Sequence, residues 1–269
     1  MNRQAVIFDV RKRRWLLLAM LIAVGAAIAA WAGIAARQSP REFKVNVVAA
    51  YPHDRAAFTE GLTIAGGYLY EGTGKYGESS IRRVDLKSGR VEQMVSLPPR
   101  YFGEGVAVLN GRLYELTWRA GVGFVYDVAS FDRLASFHFE GEGWGLTQDG
   151  THLIMSDGTP TLRYLDPKTF AVVRRITVKD NGQPVTRVNE LEYVRGQIWA
   201  NIWYQDRIAR ISPKDGHVLG WIDISNLYQD PQRGSEDVAN GIAYDAATGR
   251  VFMTGKDWPQ LFEVQVVPK

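Results

Sequence analysis

From about residue 42 to the C-terminus, apolar and polar positions alternate in short runs rich in β-branched and aromatic side chains. Gly, Asp-Gly and Ser-Gly separate these runs, and no segment carries the apolar stripe of an amphipathic helix. Alternation with a period of two is the pattern of a strand that has one buried face. The pattern therefore predicts an all-β domain.

Five segments of this region align with one another, each consisting of a strand, a turn that usually contains glycine, and a second strand. They begin at Glu60, Glu104, Trp144, Asn189 and Asn240, so successive starts lie 44, 40, 45 and 51 residues apart. A second hairpin follows each of the first four segments. Four strands in a period of about 45 residues are typical of a β-propeller blade.

The fifth segment is one strand short, because only QLFEVQVV remains after RVFMTG. Residues 42–51, EFKVNVVAAY, precede the first segment without a partner and are expected to supply the missing strand. This exchange would close the ring and cover a sheet edge. The prediction is a five-bladed β-propeller over residues 42–269. A β-sandwich with as many strands would leave the period unexplained.

An uncharged apolar stretch precedes the repeats at residues 15–36. As a helix rising about 1.5 Å per residue, its 22 residues would span the roughly 30 Å core of a bilayer. The basic cluster RKRR ends the segment 1–14, which is expected to stay cytoplasmic, while the chain beyond the apolar stretch is exported. The sequence predicts a membrane anchor at residues 15–36 and a periplasmic or other extracytoplasmic domain. A cleaved signal peptide is the alternative.

Composition limits the chemistry of the domain. The chain has no cysteine and four histidines, which excludes a thiol nucleophile and disulfides and disfavours a multi-histidine metal centre. Seven of its 32 basic residues but only one of its 29 acidic residues lie in residues 1–41, so the rest is slightly acidic. Nucleic acid is therefore not an expected partner. Carboxylates, amines, amides or hydroxyls remain as reactive groups.

A propeller brings the start of each inner strand and the end of each second strand to one face. The starts of the inner strands carry Glu60, Glu104, Trp144, Asn189 and Asn240, and the ends of second strands carry Trp118, Trp203 and Lys256. The pairs Glu104–Trp118 and Asn189–Trp203 are both 14 residues apart, the length of one hairpin. These positions predict an aromatic pocket with a few polar groups at the mouth of the channel.

Glu104 is the strongest candidate for acid–base chemistry. Gly103 and Gly105 flank it, and such glycines can let the backbone approach a ligand closely. Nearby indoles would exclude water and raise the pKa of the carboxyl towards neutrality.

Each candidate also has a structural interpretation. The tryptophans could be wedges between blades, Asn240 a turn cap, Lys256 a solvated charge, and the two glutamates partners of basic groups or of backbone N–H groups.

The motifs FTEGL, YEGTGKYGESSIRRVDL, FGEG, GEGWGL, VNELEY, IWANIWYQD, ANGIAYD and TGKDWP succeed one another along the chain. Together they resemble the plant and bacterial glutaminyl-peptide cyclotransferases, or glutaminyl cyclases, over residues 45–266. The resemblance implies a five-bladed propeller that cyclises the N-terminal glutamine of peptides to pyroglutamate and releases ammonia. It also implies that no metal or cofactor is needed, and we expect a monomer.

The resemblance assigns roles to individual residues. Glu104 matches the proton shuttle, Lys256 a lysine that offsets developing negative charge, and Asn189 a residue that holds the amide or oxyanion. The pocket walls match Phe58, Phe102, Trp118, Trp144 and Trp203, whose indole N–H groups can orient the substrate amide. At Glu60 the family has Gln or Glu. A glutamate there would titrate as a coupled pair with Glu104 or would bind the α-ammonium of the substrate.

Two other function classes remain open on the sequence alone. A non-catalytic propeller could use the same aromatic mouth to hold an exported peptide or glycan. A calcium-dependent lactonase could draw ligands from Glu60, Glu104, Asn189 and Asn240. Trp144 at the third start and the positive charge of Lys256 argue against the second class.

Overall fold

The computed structural model describes residues 41–269, which form 22 β-strands. The predicted cytoplasmic segment 1–14 and the predicted anchor 15–36 lie outside the described residues. Within residues 41–269 there is no helix of the length and apolarity needed to cross a membrane.

The strands form five four-stranded units in chain order. Strand β1 (Arg41–Pro52) comes before the first unit. The first unit contains β2 (Thr59–Ala65), β3 (Tyr68–Thr73), β4 (Ser80–Val84) and β5 (Val91–Ser96). The second contains β6 (Gly103–Leu109), β7 (Arg112–Thr117), β8 (Val122–Asp127) and β9 (Arg133–His138).

The third unit contains β10 (Leu146–Gln148), β11 (Leu153–Met155), β12 (Thr161–Leu165) and β13 (Val172–Thr177), and a small ribbon, β14 (Lys179–Asp180) and β15 (Gln183–Pro184), comes after it. The fourth contains β16 (Val188–Val194), β17 (Gln197–Ile202), β18 (Arg207–Ile211) and β19 (Val218–Asp223). The fifth contains β20 (Ala239–Asp245), β21 (Arg250–Gly255), β22 (Gln260–Pro268) and β1.

Strand β1 completes the fifth unit, as the sequence predicts. It pairs antiparallel with β22, from Phe43 opposite Pro268 to Pro52 opposite Gln260. Its first residues, 41–44, also pair in parallel with β19, a contact that the repeat pattern does not predict. The fourth and fifth units are thereby joined into one eight-stranded sheet.

The first strands of the five units contact one another in a closed cycle, β2 to β6 to β10 to β16 to β20 and back to β2. Each of the five hydrophobic clusters combines side chains from two neighbouring units. Leu62 and Phe252, for example, join the first and fifth units. The all-β chain is thus a ring of propeller-like sheets, held together at the five places where neighbouring sheets meet.

Buried carboxylates also link the inner strands. Glu190 accepts N–H bonds from Ile242 of β20 (3.0 Å) and Leu62 of β2 (3.4 Å), so one side chain of β16 contacts two other units. Glu192 accepts the N–H of Tyr244 at 2.9 Å, and burial raises its pKa to about 8. These bonds satisfy backbone donors of inner strands that would otherwise be buried without a partner.

Four inner strands carry a β-bulge at their first residues. The pairing register of β2 shifts by one extra residue at Glu60. The registers of β6, β16 and β20 shift by one residue within the intervals that contain Glu104, Asn189 and Asn240, respectively. A bulge leaves one residue unpaired and re-aims its side chain. The polar residues predicted for the site therefore lie at β-bulges, where regular strand pairing is interrupted.

Candidate active site

A cavity of about 230 Å³ opens near the starts of the inner strands. Its lining residues are Phe58, Glu60, Lys75, Phe102, Glu104, Trp118, Trp144, Asn189, Trp203, Glu236 and Lys256. All nine residues that the resemblance implicates are among them, and only Lys75 and Glu236 are additions.

One repeated backbone hydrogen bond brings the start of each inner strand close to the end of the second strand. In four units, the residue after the second strand donates its N–H to the carbonyl two residues before the polar bulge position. The four pairs are Gly74–Phe58 (2.8 Å), Trp118–Phe102 (3.0 Å), Trp203–Arg187 (2.9 Å) and Lys256–Val238 (3.0 Å). The side chains that come after the second strands therefore lie beside the side chains that begin the inner strands.

Lys256 and Glu60 form a buried ion pair. Lys256 Nζ lies 2.7 Å from Glu60 Oε1, and Asn240 Nδ2 donates to Glu60 Oε2 at 2.9 Å. Both oxygens of Glu60 thus have a partner in the protein, and its alternative role as receptor of the α-ammonium stays a prediction. Asn240 also donates to Thr59 O at 2.9 Å, so it supports the site and does not cap a turn. The interpretation of Lys256 as a solvated charge is wrong.

Glu104 is buried, with 5 % of its surface exposed, and no group in residues 41–269 donates a hydrogen bond to its carboxylate. Burial raises its pKa well above the usual value, and the charge of Glu60 raises it further, while Lys256 opposes the rise. Burial also raises the pKa of Glu60, although the ammonium and the amide oppose that rise. The charge of Glu60 therefore acts on the ionisation of Glu104.

The glycines around Glu104 have a packing role that the sequence analysis did not predict. A Cβ on Gly105 would lie 2.4 Å from Leu146 N of the next inner strand, and one on Gly103 would lie 2.7 Å from Thr73 O. Gly105 N donates to Trp144 O at 2.7 Å. Gly103 thus allows the start of β6 to approach β3, and Gly105 allows it to approach β10. The expectation that they also admit a ligand stays a prediction.

Aromatic side chains form the walls of the cavity. Phe102 packs edge-on against Phe58 and Trp118, with centroid distances of 6.2 and 5.4 Å, and Trp144 packs edge-on against Trp203 at 5.3 Å. The Lys256 ammonium lies 4.4 Å from the centre of the Phe58 ring, a cation–π distance.

Two indole N–H groups have a protein acceptor that the sequence analysis missed. Trp118 Nε1 and Trp144 Nε1 donate to the same oxygen, Glu142 Oε2, at 2.8 and 2.9 Å. The expectation that they orient the substrate amide is therefore wrong for these two. The indole nitrogen of Trp203 is buried and has no partner in residues 41–269. The motif GEGWGL could have indicated Glu142, because side chains two residues apart in an extended chain point to the same side, here that of Trp144.

The two other missed residues lie at the rim of the cavity. Lys75 Nζ lies 3.1 Å from Asp257 Oδ2, and Glu236 accepts the hydroxyl of Tyr204 at 2.5 Å. Lys75 belongs to the motif YEGTGKYGESS, but Glu236 lies in an irregular segment that no repeat indicates. In the described part of the chain, no three His, Cys, Asp or Glu side chains are grouped as a metal site would require.

Comparisons with known proteins agree with this geometry. The sequence profile of the family described as glutamine cyclotransferase matches residues 16–266. A glutaminyl-peptide cyclotransferase of Arabidopsis thaliana is 46% identical over 233 residues, which are 85% of this chain and 73% of the relative. The crystal structure of Myxococcus xanthus glutaminyl cyclase is similar with a TM-score of 0.79 and 37% identity, covering 86% of this chain and 100% of the other. The chain therefore belongs to the glutamine cyclotransferase family.

Proposed function

We propose that this protein is a glutaminyl-peptide cyclotransferase, which converts the N-terminal glutamine of peptides to pyroglutamate and releases ammonia. Its family membership supports this activity. The structural observation that carries the proposal is Glu104, a buried carboxyl with no hydrogen-bond donor in residues 41–269, in an aromatic cavity that also contains an ammonium and an amide. A carboxyl left without a partner in such a place is suited to exchange a proton with a ligand.

The cavity suits a single side chain with the adjacent peptide terminus. In this reaction the substrate supplies both the nucleophile, its α-amine, and the electrophile, its side-chain amide carbon. The aromatic walls can hold the glutamine in the folded conformation that brings these two atoms together. Such positioning removes most of the entropic cost of forming the five-membered ring.

Glu104 moves the proton. The neutral α-amine attacks Cδ of the substrate glutamine, a carbon–nitrogen bond forms, and the amine loses one proton to the Glu104 carboxylate. Glu104 then gives that proton to the amide nitrogen as the bond from Cδ to this nitrogen breaks, and ammonia leaves. The raised pKa makes Glu104 a stronger base than a solvated carboxylate and a usable acid near neutral pH.

Lys256 and Asn189 stabilise the oxygen of the attacked amide, which becomes negatively charged in the tetrahedral intermediate. An ammonium has three N–H donors, so Lys256 retains donors for the substrate while one binds Glu60. Asn189 contributes side-chain donors from the start of β16. Fixed donors in a water-excluded site are effective because they need no reorientation during the reaction.

The two rival functions have less support. A calcium site at Glu60 would need free carboxylate oxygens, whereas both accept hydrogen bonds, one of them from a cation. A purely binding propeller would have no use for an unpaired buried carboxyl, whose desolvation is costly.

We also infer that the domain is extracytoplasmic and anchored through residues 15–36, because the uncharged stretch there is long enough to span a bilayer and comes directly after a basic cluster. Membrane fractionation of cells that make the full chain tests this placement. Release of a shortened protein into the soluble extracytoplasmic fraction would show cleavage and contradict the anchor.

Incubation of the protein with a Gln-initiated peptide tests the activity. Ammonia release together with loss of one ammonia from the peptide mass is the expected result, and it should persist in the presence of a chelator. A peptide that begins with Asn is the matched control, because its shorter side chain would have to form a four-membered ring. Binding of the Gln peptide without conversion would contradict the proposed activity and favour a binding propeller.

A further inference from the structure

Glu142 takes no part in the reaction steps described above, yet it joins two walls of the cavity. Its Oε2 accepts the indole N–H groups of Trp118 and Trp144, and its Oε1 accepts Arg119 Nε at 3.1 Å. Trp118 comes after the second strand of the second unit, and Trp144 precedes the first strand of the third. A single carboxylate thus fixes the relative orientation of two indoles that come from different sheets.

The loop that carries Glu142 is itself fixed. Arg163 donates to the carbonyl oxygens of Glu140 (2.6 Å) and Glu142 (3.1 Å), and its guanidinium lies 3.2 Å from Asp157 Oδ2. Gly143 N donates to Trp118 O at 2.9 Å. The backbone of Glu142 is therefore held in place, and its carboxylate can orient the two indoles.

Trp118 is further restrained by two neighbouring side chains. The Arg119 guanidinium lies 3.8 Å from its ring centre, and Phe102 packs against it at 5.4 Å. The Arg119 side chain is largely exposed, so this contact is weaker than the hydrogen bond to Glu142. Glu142 is the one polar anchor of the Trp118 indole among the described residues.

Glu142 also contributes charge to the site. Burial opposes its ionisation, but the N–H bonds from Trp144, Trp118 and Arg119 outweigh that effect and hold its pKa below the usual value. Its negative charge adds to that of Glu60 in raising the pKa of Glu104, against the effect of Lys256. Lys75 and Glu236 are the other charged side chains that line the cavity.

We propose that Glu142 is a positioning residue for the cyclisation: it holds Trp118 and Trp144 at a fixed angle and adds a negative charge to the surroundings of Glu104. This inference rests on the proposed function, and it assigns a role to a side chain that acts through other residues without itself being a proton carrier. The two effects can be separated because an amide oxygen can still accept N–H bonds but carries no charge.

Two substitutions at Glu142 test the proposal. Glu142→Gln should keep KM near the wild-type value and shift the limb of the kcat/KM profile that reports Glu104 to lower pH. Glu142→Ala should also release the indoles and raise KM by about tenfold to a hundredfold, the cost typical of slightly misplaced substrate contacts. Glu140→Gln is the matched control, since Glu140 lies on the same loop and binds Arg163 only through its carbonyl.

Indole ¹⁵N–¹H spectra supply a readout that does not depend on turnover. Of the eight tryptophan signals, those of Trp118 and Trp144 should move in Glu142→Ala and stay near their wild-type positions in Glu140→Gln. The thermal midpoint identifies any variant that fails to fold. An unchanged KM in a folded Glu142→Ala variant, or an unshifted pH limb in Glu142→Gln, would overturn the proposal. Absence of turnover in the wild type would instead refute the proposed function.

Discussion

Lys256 Nζ lies 2.7 Å from Glu60 Oε1 in the wall of the cavity, although 196 positions separate the two residues in sequence. Asn240 holds the other oxygen of Glu60, so the carboxylate has one orientation and directs the ammonium towards the cavity. Glu60 thus supports Lys256, which the proposed mechanism uses at the developing oxyanion.

Removal of either partner should destabilise the fold, because the remaining charge would be buried without a partner. Glu60→Ala is expected to lower the free energy of unfolding by about 3 kcal/mol. The double variant Glu60→Ala/Lys256→Ala should lose less than the sum of the single losses. Denaturant unfolding of the four proteins measures this coupling.

The control for this double-mutant cycle is the partly exposed ion pair of Lys75 and Asp257. Lys75→Ala should cost at most about 1 kcal/mol, as exposed ion pairs generally do. Additive losses for Glu60 and Lys256 would contradict their coupling.

Glu104→Gln should remove the proton carrier and leave the shape of the cavity intact. We expect kcat to fall by about 10²- to 10⁴-fold, the range that general acid–base catalysis contributes. Steady-state ammonia release measures the loss, and the thermal midpoint should be unchanged or higher because a buried ionisable group has been neutralised. Rates like those of the wild type would refute the assigned role.

His53 should make stability depend on pH. Its Nε2 lies 2.9 Å from Glu71 Oε1 and its Nδ1 lies 2.6 Å from Trp258 O, with both side chains of the ion pair buried. Burial opposes protonation of His53, but Glu71 and the Trp258 carbonyl raise its pKa above the usual value. The contribution of protonated His53 to the stability of the fold is then complete below the unfolded-state pKa of about 6.5. It is lost as pH rises through the higher pKa of the folded state.

His53→Ala should therefore cost about 3 kcal/mol at pH 6 and less at higher pH. Burial opposes ionisation of Glu71, but His53 lowers its pKa overall, so its contribution is lost only as pH falls into the acid range. Denaturant unfolding between about pH 3 and pH 9 measures both effects, with the exposed His138→Ala as control. A penalty for His53→Ala that does not vary with pH would contradict the prediction.

Glu190 should contribute strongly to closure of the ring, because it accepts backbone N–H bonds from two other units. Glu190→Ala would leave two buried donors without a partner and should cost about 2 to 6 kcal/mol, at roughly 1 to 3 for each. Glu190→Gln keeps one amide oxygen as acceptor and should cost less. Urea unfolding measures both losses. Equal losses in the two variants would contradict the prediction, because the oxygen that Gln retains would then contribute nothing as an acceptor.

The sequence predicted the units of this fold well because the hydrophobic alternation and the turns repeat. The five starts from Glu60 to Asn240 all mark inner strands, and residues 42–51 do supply the last strand of the fifth unit. The same periodicity identified seven of the residues that line the cavity, since it locates the ends of strands, whereas Phe58 and Phe102 came from the family resemblance. The parallel contact of β1 with β19 has no such signal, because it joins strands of two different units.

The contacts within the site could not be predicted in the same way. Periodicity indicates the face on which Glu142 lies, but it does not reveal that one oxygen binds two indoles. Glu236 belongs to a loop of residues 224–238 whose conformation no repeat specifies. The packing role of Gly105 could not be predicted either, because a glycine can admit a ligand or a neighbouring strand, and only the structure shows that Leu146 of β10 lies against it.

Strand β1 has a consequence for the order of folding. It leaves the ribosome before any other strand of the ring, but its partners β19 and β22 include the last strand to be made. Until β22 emerges, the backbone N–H and C=O groups of β1 that pair with it have no partner, and a non-local pairing of this kind forms slowly. The fifth sheet can therefore be completed only after β22 has been made, and a chain that stops before β22 would leave β1 and β21 without the strand that joins them.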